Sequence, residues 1–125
     1  MIYTNPLIYI EIHDSEIPWV KIFTHTQHKE FSQCSREEKE IIWECLDIIE
    51  KKMLTYFKAD KINIASFGNM MPRVHWHIMA RFENDSYFPE PMWGVKQREG
   101  LVLTAPLEPF IEELKVELTS RFAAS

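Results

Sequence analysis

The residues best suited to chemistry are two histidines, His75 and His77, which stand one position apart in the segment RVHWHIMARF at 73–82. A β-strand would place alternate side chains of this segment on opposite faces. One face then carries two imidazoles between two guanidinium groups: Arg73, His75, His77, Met79 and Arg81. The other face is apolar and is predicted to join the core: Val74, Trp76, Ile78 and Ala80.

The first face suits a phosphate anion. Arginine supplies fixed positive charge for phosphate oxygens, and a neutral imidazole can attack phosphorus and later leave. The same pattern also fits two half-buried histidines that are satisfied by hydrogen bonds.

A zinc site is a further alternative, in which His13, His25 or His28 would join His75 and His77 as a third ligand. Nothing in the spacing favours it, and the flanking arginines would repel a cation. We therefore expect no metal and no cofactor.

Composition limits the remaining possibilities. The chain has 125 residues, of which 46% are hydrophobic, so we expect one domain over residues 1–125 with a substantial core. The formal net charge is −5 and no run of lysine or arginine is present, which disfavours nucleic acids and anionic membranes as partners.

Cellular location is predicted from what the sequence lacks. Cys34 and Cys45 fit no metal spacing and are expected to be reduced packing residues. The N-terminus has no basic leader, and no apolar stretch approaches the length of about 20 residues that spans a bilayer. We expect a cytoplasmic protein.

The elements that position the histidines can be read from hydrophobic periodicity. The segments LIYIEI at 7–12 and IPWVKIFTH at 17–25 are predicted to pair as antiparallel strands across the polar turn HDSE. KINIASF at 61–67 and the histidine segment at 73–82 predict two more strands, with the turn GNMMP at 68–72 between them.

Two helices complete the fold. Ser35 and Glu38 have the spacing of a capping box, after which apolar positions from Ile41 to Phe57 recur at helical spacing. LEPFIEELKVELTSRF predicts a shorter amphipathic helix near the C-terminus. The order strand, strand, helix, strand, strand, helix predicts an α+β fold built on an antiparallel sheet.

The segment ENDSYFPEPMWGVKQREG at 83–100 mixes turn formers with bulky aromatic residues. It is predicted to be an ordered loop that packs back on the body. Phe88 and Trp93 are interpreted as packing residues, with a lid or a dimer contact as the alternative.

From about residue 6 to residue 94, the chain resembles the histidine triad superfamily. The resemblance is carried by GNMMPRVHWHIMAR, because the family has a glycine and an amide side chain four residues before a strand of three alternating histidines. Aligning Gly68 and Asn69 with that pair puts Arg73 at the first histidine position, His75 at the second and His77 at the third. Arg81 then falls on an arginine that often follows the motif.

The resemblance implies the fold and an activity. His75 would attack the α-phosphorus of a nucleotide as the nucleophile, His77 would contact phosphate oxygens, and Asn69, Arg73 and Arg81 would assist in binding phosphate. The substrate would be a dinucleoside polyphosphate, a nucleoside phosphoramidate or a similar compound. A second register makes His77 the nucleophile and Met79 the missing third histidine, and a nucleotide-binding module with little turnover is the rival function.

The resemblance extends to the opening strands. Glu11 occupies the position of the family residue that binds the ribose hydroxyls. Tyr9 and Ile12 are expected to line the base pocket. Trp19 stands where most members have a histidine, and DSYFPEPMWG resembles the ending of a bacterial subgroup in which such departures are normal. Family members often form homodimers, so a homodimer is also expected.

Overall fold

The computed structural model describes residues 1–100, 103 and 105–123. Within these residues, five strands form one antiparallel sheet in the order β1-β2-β3-β5-β4. The strands are β1 (Tyr3–Thr4), β2 (Ile8–Ile12), β3 (Trp19–Thr24), β4 (Lys61–Ala65) and β5 (His75–Arg81). Because β5 pairs with both β3 and β4, the strand that holds the two histidines lies inside the sheet rather than at its edge.

The long helix α1 (Arg36–Tyr56) begins at the predicted capping box. The Ser35 hydroxyl accepts a hydrogen bond from the Glu38 N–H at 3.1 Å, and the Glu38 carboxylate accepts one from the Ser35 N–H at 2.7 Å. This reciprocal pair satisfies amides that a helix start leaves free. A short 3-10 turn at Phe31–Gln33 precedes α1, and the C-terminal helix α2 spans Leu107–Arg121.

One face of the sheet carries the main core. It presents buried aliphatic side chains from alternate strand positions: Ile8, Ile10, Val20, Ile22, Ile78 and Ala80. These pack in one cluster with apolar residues of the two helices: Ile42, Cys45, Ile49, Met53, Phe110, Leu114 and Leu118. Burying each large side chain stabilises the fold by about 1.5–3 kcal/mol relative to exposing it, so the helices are held to this face.

The opposite face of the sheet carries His75 and His77 and is partly covered by residues 82–100, which we call the late loop. A buried ion pair anchors this loop, because the Arg81 guanidinium donates to the Asp85 carboxylate at 2.9 and 3.1 Å. Asp85 also accepts from the backbone N–H groups of Phe82, Tyr87 and Phe88. Burial opposes ionisation, but the guanidinium and these amides outweigh it and lower the pKa of Asp85 to about 2.

The predicted fold class is confirmed, and so is the packing of the loop at 83–100 against the body. The strands are one to three residues shorter than predicted, so Arg73 precedes β5 rather than belonging to it. Strand β1 was not predicted, since two residues leave no periodic signal. Both cysteines are buried and unpaired. In the described part of the chain, no helix is long and apolar enough to cross a membrane.

Candidate active site

Two rows of side chains cross the face of the sheet that is opposite the helices. Strand register aligns Tyr9, Phe23 and His75 in the first row, and Glu11, Lys21 and His77 in the second. Adjacent strands are about 4.8 Å apart, so β2 and β5 are separated by about 10 Å. The first row therefore connects Tyr9, predicted for the base pocket, to His75, and the second connects Glu11, predicted for the ribose, to His77.

The first row is a stack of aromatic rings. The Tyr9 and Phe23 rings have centroids 4.9 Å apart and an interplanar angle of 7°. The Phe23 and His75 rings are 5.3 Å apart with an angle of 15°. Stacking on Phe23 fixes the plane of the His75 imidazole.

A cavity of about 430 Å³ opens beside the histidines on the β4 side. Its size falls within the range of small-molecule sites. The lining residues come from the turn after β4, from β5 and from the late loop: Phe67, Gly68, Asn69, Met70, Met71, His75, His77 and Trp93. His75 is half-buried, so its ring is accessible from this cavity.

The turn before β5 depends on Gly68. Its φ is +65°, and a Cβ at this position would lie 3.2 Å from the backbone oxygen of Arg73. Glycine is the residue that adopts this conformation without strain. The turn thereby holds Asn69 at the rim of the cavity and Arg73 next to His75.

The hydrogen bond of His75 defines its neutral tautomer. Nδ1 of His75 lies 2.9 Å from the backbone oxygen of Arg73. A carbonyl oxygen can only accept, so Nδ1 of His75 carries the proton. The Nε2 atom of the neutral ring then bears the free lone pair, which is the requirement for a nucleophile.

His77 has the opposite tautomer. The indole N–H of Trp19 donates to Nδ1 of His77 at 3.0 Å, and an indole N–H has no acceptor function. The lone pair of neutral His77 is therefore used at Nδ1, and its proton is on Nε2. Burial lowers the pKa of His77 to about 4, with further contributions from His75, Lys21 and His13, so the ring is neutral near pH 7.

Lys21 is a cationic side chain on the histidine face of the sheet that remains available to bind an anion. It lies between Glu11 and His77 in register, is half-buried, and forms no ion pair within the described part of the chain. Its ammonium group is 5.7 Å from the centroid of the Phe23 ring. The position of Lys21 next to His77 could not be predicted from the sequence, because the pairing of β3 with β5 cannot be read from either strand alone.

The two predicted phosphate-binding arginines are committed to other groups. Arg81 is 1% exposed, and besides Asp85 its guanidinium donates to the Asn63 side chain at 2.8 Å and to the Glu90 carbonyl at 2.6 Å. Arg81 does not line the cavity, so its predicted contact with phosphate stays a prediction, and its observed partners are structural.

Arg73 is also directed away from the cavity. Its guanidinium donates to the Thr24 carbonyl and lies over the Tyr9 and Phe23 rings, at 5.9 and 5.6 Å from their centroids. Among the described residues its buried Nε has no partner. The contact that Arg73 makes to the site is through its backbone oxygen, which holds His75.

The predicted ribose and base residues divide between two faces. Tyr9 and Glu11 lie on the histidine face, while Ile12 points to the helix face and packs against the core. Strand alternation places Glu11 and Ile12 on opposite faces, so the structure does not bring Ile12 to the histidine face with Glu11. Neither Tyr9 nor Glu11 lines the cavity, which lies on the other side of the histidines.

Trp93 closes the site from the late loop. Its ring centroid is 5.2 Å from that of His77, 5.3 Å from that of Trp19 and 4.8 Å from that of Phe67. The ring is nevertheless 49% exposed. Its aromatic type was the only signal in the sequence, and that signal does not distinguish a lid from a core residue.

The alternative zinc site is not assembled. Within the described residues, the one group of potential ligands that converges is His28, Cys34 and Glu38. His75 and His77 are not in that group, and neither His13 nor His25 joins them.

The comparisons with known proteins agree on one family. A sequence model of the HIT domain family matches residues 1–84. No curated protein matches the chain. A solved histidine triad protein from Bradyrhizobium japonicum is 27% identical, with a TM-score of 0.77 over 94% of this chain and 88% of that chain.

Two more distant solved structures have the same fold. A histidine triad protein from Marinobacter aquaeolei VT8 is 23% identical, with a TM-score of 0.77 and coverage of 94% of this chain and 88% of that chain. A hypothetical histidine triad nucleotide-binding protein from Sulfolobus tokodaii strain7 is 14% identical, with a TM-score of 0.61 and coverage of 97% and 86%.

Proposed function

The chain belongs to the HIT domain family, and we propose that it cleaves nucleotide phosphate bonds at the α-phosphorus with His75 as the nucleophile. The single observation that carries this proposal is the pair of opposite tautomers on neighbouring histidines. His75 presents a lone pair at Nε2, whereas His77 presents an N–H at Nε2. This difference favours the register in which His75, not His77, attacks.

The proposed reaction has two steps. The lone pair of His75 Nε2 forms a bond to the α-phosphorus while the bond from phosphorus to the bridging oxygen breaks, and the leaving group keeps the electron pair. A water oxygen then attacks phosphorus, the N–P bond breaks, and the proton of water passes to solvent. His77 donates a hydrogen bond from Nε2 to a phosphate oxygen in both steps.

Lys21 takes the role that the sequence assigned to the arginines. It lies in the row of His77, and its ammonium group supplies the positive charge for the phosphate oxygens. Asn69 is exposed at the cavity rim and can donate its amide N–H to the same group.

We propose that the nucleoside lies on the β2 side of His75. There Glu11 can accept from both ribose hydroxyls, and the edge of the Tyr9 ring can contact the base. The separation of about 10 Å between β2 and β5 suits a nucleotide that extends across the sheet. The cavity on the β4 side then receives the leaving group.

The tautomer of His77 also favours one class of leaving group. Because Trp19 occupies Nδ1 of His77, no proton can be relayed through that ring to the leaving atom. A polyphosphate leaving group departs without a proton, whereas the amine of a phosphoramidate needs one. We therefore propose dinucleoside polyphosphates, or related nucleotide anhydrides, as the substrate class.

The test is to trap the covalent intermediate. Purified protein is mixed with a panel of dinucleoside polyphosphates and the intact mass is measured within the first turnovers. The expected result is one added nucleotidyl group, absent from His75→Ala and present in His77→Gln. Nucleotide binding without an adduct in any form would instead identify a binding module, and turnover that survives in His75→Ala would overturn the nucleophile assignment.

A further inference from the structure

A second group of convergent side chains lies outside the histidine site, where the chain enters α1. His28 is in the loop after β3, Cys34 follows the 3-10 turn, and Glu38 is in the first turn of α1. Their potential ligand atoms, one from each residue, all lie within 4.8 Å of one another. Cys34 and Glu38 are buried, and the His28 side chain is 18% exposed.

We propose that His28, Cys34 and Glu38 form a binding site for a zinc ion. An imidazole nitrogen, a thiolate and a carboxylate are the three ligand types that zinc uses in proteins. A water molecule would complete a four-coordinate shell, because the three side chains are the only converging ligands among the described residues. The mixed nitrogen and sulfur donors disfavour magnesium and calcium, which take oxygen ligands.

The geometry is close to what zinc requires. Nε2 of His28 lies 3.0 and 3.2 Å from the two carboxylate oxygens of Glu38. Zinc bonds to nitrogen and oxygen are each about 2.0–2.2 Å long, so two ligand atoms about 3.2 Å apart can share one ion at a nearly tetrahedral angle. The three ligand atoms lie within 4.8 Å of one another. A sulfur and a nitrogen or oxygen bound to one tetrahedral zinc ion lie about 3.6 Å apart, so a gap of at most about 1.2 Å has to close around Cys34.

Part of the site is held in place without a metal. The capping box fixes the Glu38 carboxylate through the Ser35 N–H. Cys34 is the residue just before that serine, and its own N–H donates to the Phe31 carbonyl at 3.0 Å, closing the 3-10 turn. Two of the three ligands are therefore set by local backbone structure, which reduces the ordering that metal binding would require.

Without a metal the same residues form a His28–Glu38 hydrogen bond and a buried thiol. Burial and the nearby Glu38 raise the pKa of Cys34, which makes its thiol a poor nucleophile in the metal-free protein. Lys39 acts in the opposite direction on this pKa, and its ammonium lies 5.4 Å from the centroid of the Phe31 ring. A zinc ion would replace the thiol proton, so binding would release a proton to solvent.

The ion would act on the histidine site through the backbone. The carbonyl of His28 accepts a hydrogen bond from the Val74 N–H at 2.8 Å, and Val74 immediately precedes His75. Fixing the loop at His28 would therefore fix the start of β5. The ion would lie outside the histidine site, so its binding can be measured without turnover.

The experiment uses the full chain stripped of metal with a chelator. Zinc is titrated calorimetrically, and cadmium is added in parallel to follow the ultraviolet charge-transfer band of a thiolate bound to cadmium. The expected result is one site per chain, with affinity lowered at least about 10-fold in Cys34→Ser and in Glu38→Gln. Glu38→Gln keeps an oxygen that can cap the helix, so loss of binding in that variant is not explained by unfolding.

Cys45→Ser is the matched control, since Cys45 is buried on α1 and belongs to no group of ligands among the described residues. It should keep the charge-transfer band, and so should a His75→Ala, His77→Gln double variant. Zinc affinity that is unchanged in Cys34→Ser, or that is lost in the His75 and His77 double variant, would overturn the site. The absence of saturable binding in the wild type would overturn it as well.

Discussion

The indole N–H of Trp19 on β3 donates to Nδ1 of His77 on β5 at 3.0 Å, across two strands that are paired in register. A single hydrogen bond therefore decides which nitrogen of His77 carries its proton. Because both partners are buried, protonation of Nδ1 would place two N–H groups against each other. The tryptophan thus makes His77 a hydrogen-bond donor to the site rather than a base.

Replacing Trp19 with phenylalanine should remove this constraint while keeping an aromatic ring. Without the indole N–H, Nδ1 of His77 can take up a proton, so the pKa of His77 should rise above about 4. Burial, the largest cause of the lowered pKa, should still keep it below the ordinary histidine value. The change is measured by following the imidazole resonances by NMR from pH 4 to pH 8. A His77 pKa that stays near 4 in Trp19→Phe would show that burial alone sets it.

The low pKa of His77 should make the stability of the wild-type protein depend on pH. The folded state resists protonation of His77, whereas the unfolded chain binds a proton below about pH 6.5. The free energy of unfolding should therefore fall as the pH decreases from 6.5 to 4. Urea unfolding across this range tests the expectation, with His77→Gln as the reference that lacks this proton uptake.

Leaving groups that need no proton should be strongly preferred. General acid catalysis contributes about 10²–10⁴-fold, so a site that cannot relay a proton through His77 should lose about that factor on phosphoramidates. We expect kcat/KM for a dinucleoside polyphosphate to exceed that for the matching nucleoside phosphoramidate at least about 100-fold. Equal values for the two substrates would contradict the leaving-group argument but not the assignment of His75.

Lys21→Gln should weaken catalysis without unfolding the protein. The residue is half-buried and unpaired within the described residues, and a hydrogen bond to a charged group contributes about 1.5–3 kcal/mol. The expected loss in kcat/KM is therefore about 10- to 100-fold. Lys61→Gln is the control, since Lys61 is an exposed lysine of the sheet that pairs with Arg81 rather than with a histidine. An equal loss in both variants would mean that only overall charge matters.

Asp85→Asn should destabilise the late loop. It leaves the buried Arg81 guanidinium without its counter-ion, which costs about 3–5 kcal/mol in the free energy of unfolding. Asp47→Asn is the comparison, because the Asp47–Lys51 pair is exposed and screened by solvent, so its loss should change the stability little. Denaturant unfolding measures both changes.

Because the pKa of Asp85 is low, the stabilisation of the fold by the Arg81–Asp85 ion pair should depend on pH. Its stabilisation is present above the ordinary aspartate pKa of 3.8 and is lost as the pH falls through about 2. The difference in stability between wild type and Asp85→Asn should therefore shrink over this interval. A difference that is constant with pH would contradict the assignment of the charged pair.

The sequence by itself determined the two helices and the four longer strands, and it suggested the family. The capping box at Ser35 and Glu38, the helical spacing that follows it and the alternation around His75 are local patterns, and local patterns specify helices, strands and faces. The glycine, amide and histidine spacing from Gly68 to His77 was sufficient to suggest the HIT family that the family comparison shows.

The tertiary structure decided which side chains of that face are available. Trp19 and His77 are 58 residues apart, and only the register between β3 and β5 brings them into contact. Asp85 makes Arg81 a buried structural residue, while the same register brings Lys21 beside His77. Strand pairing and loop burial depend on packing between distant segments, so no pattern within one segment could have specified them.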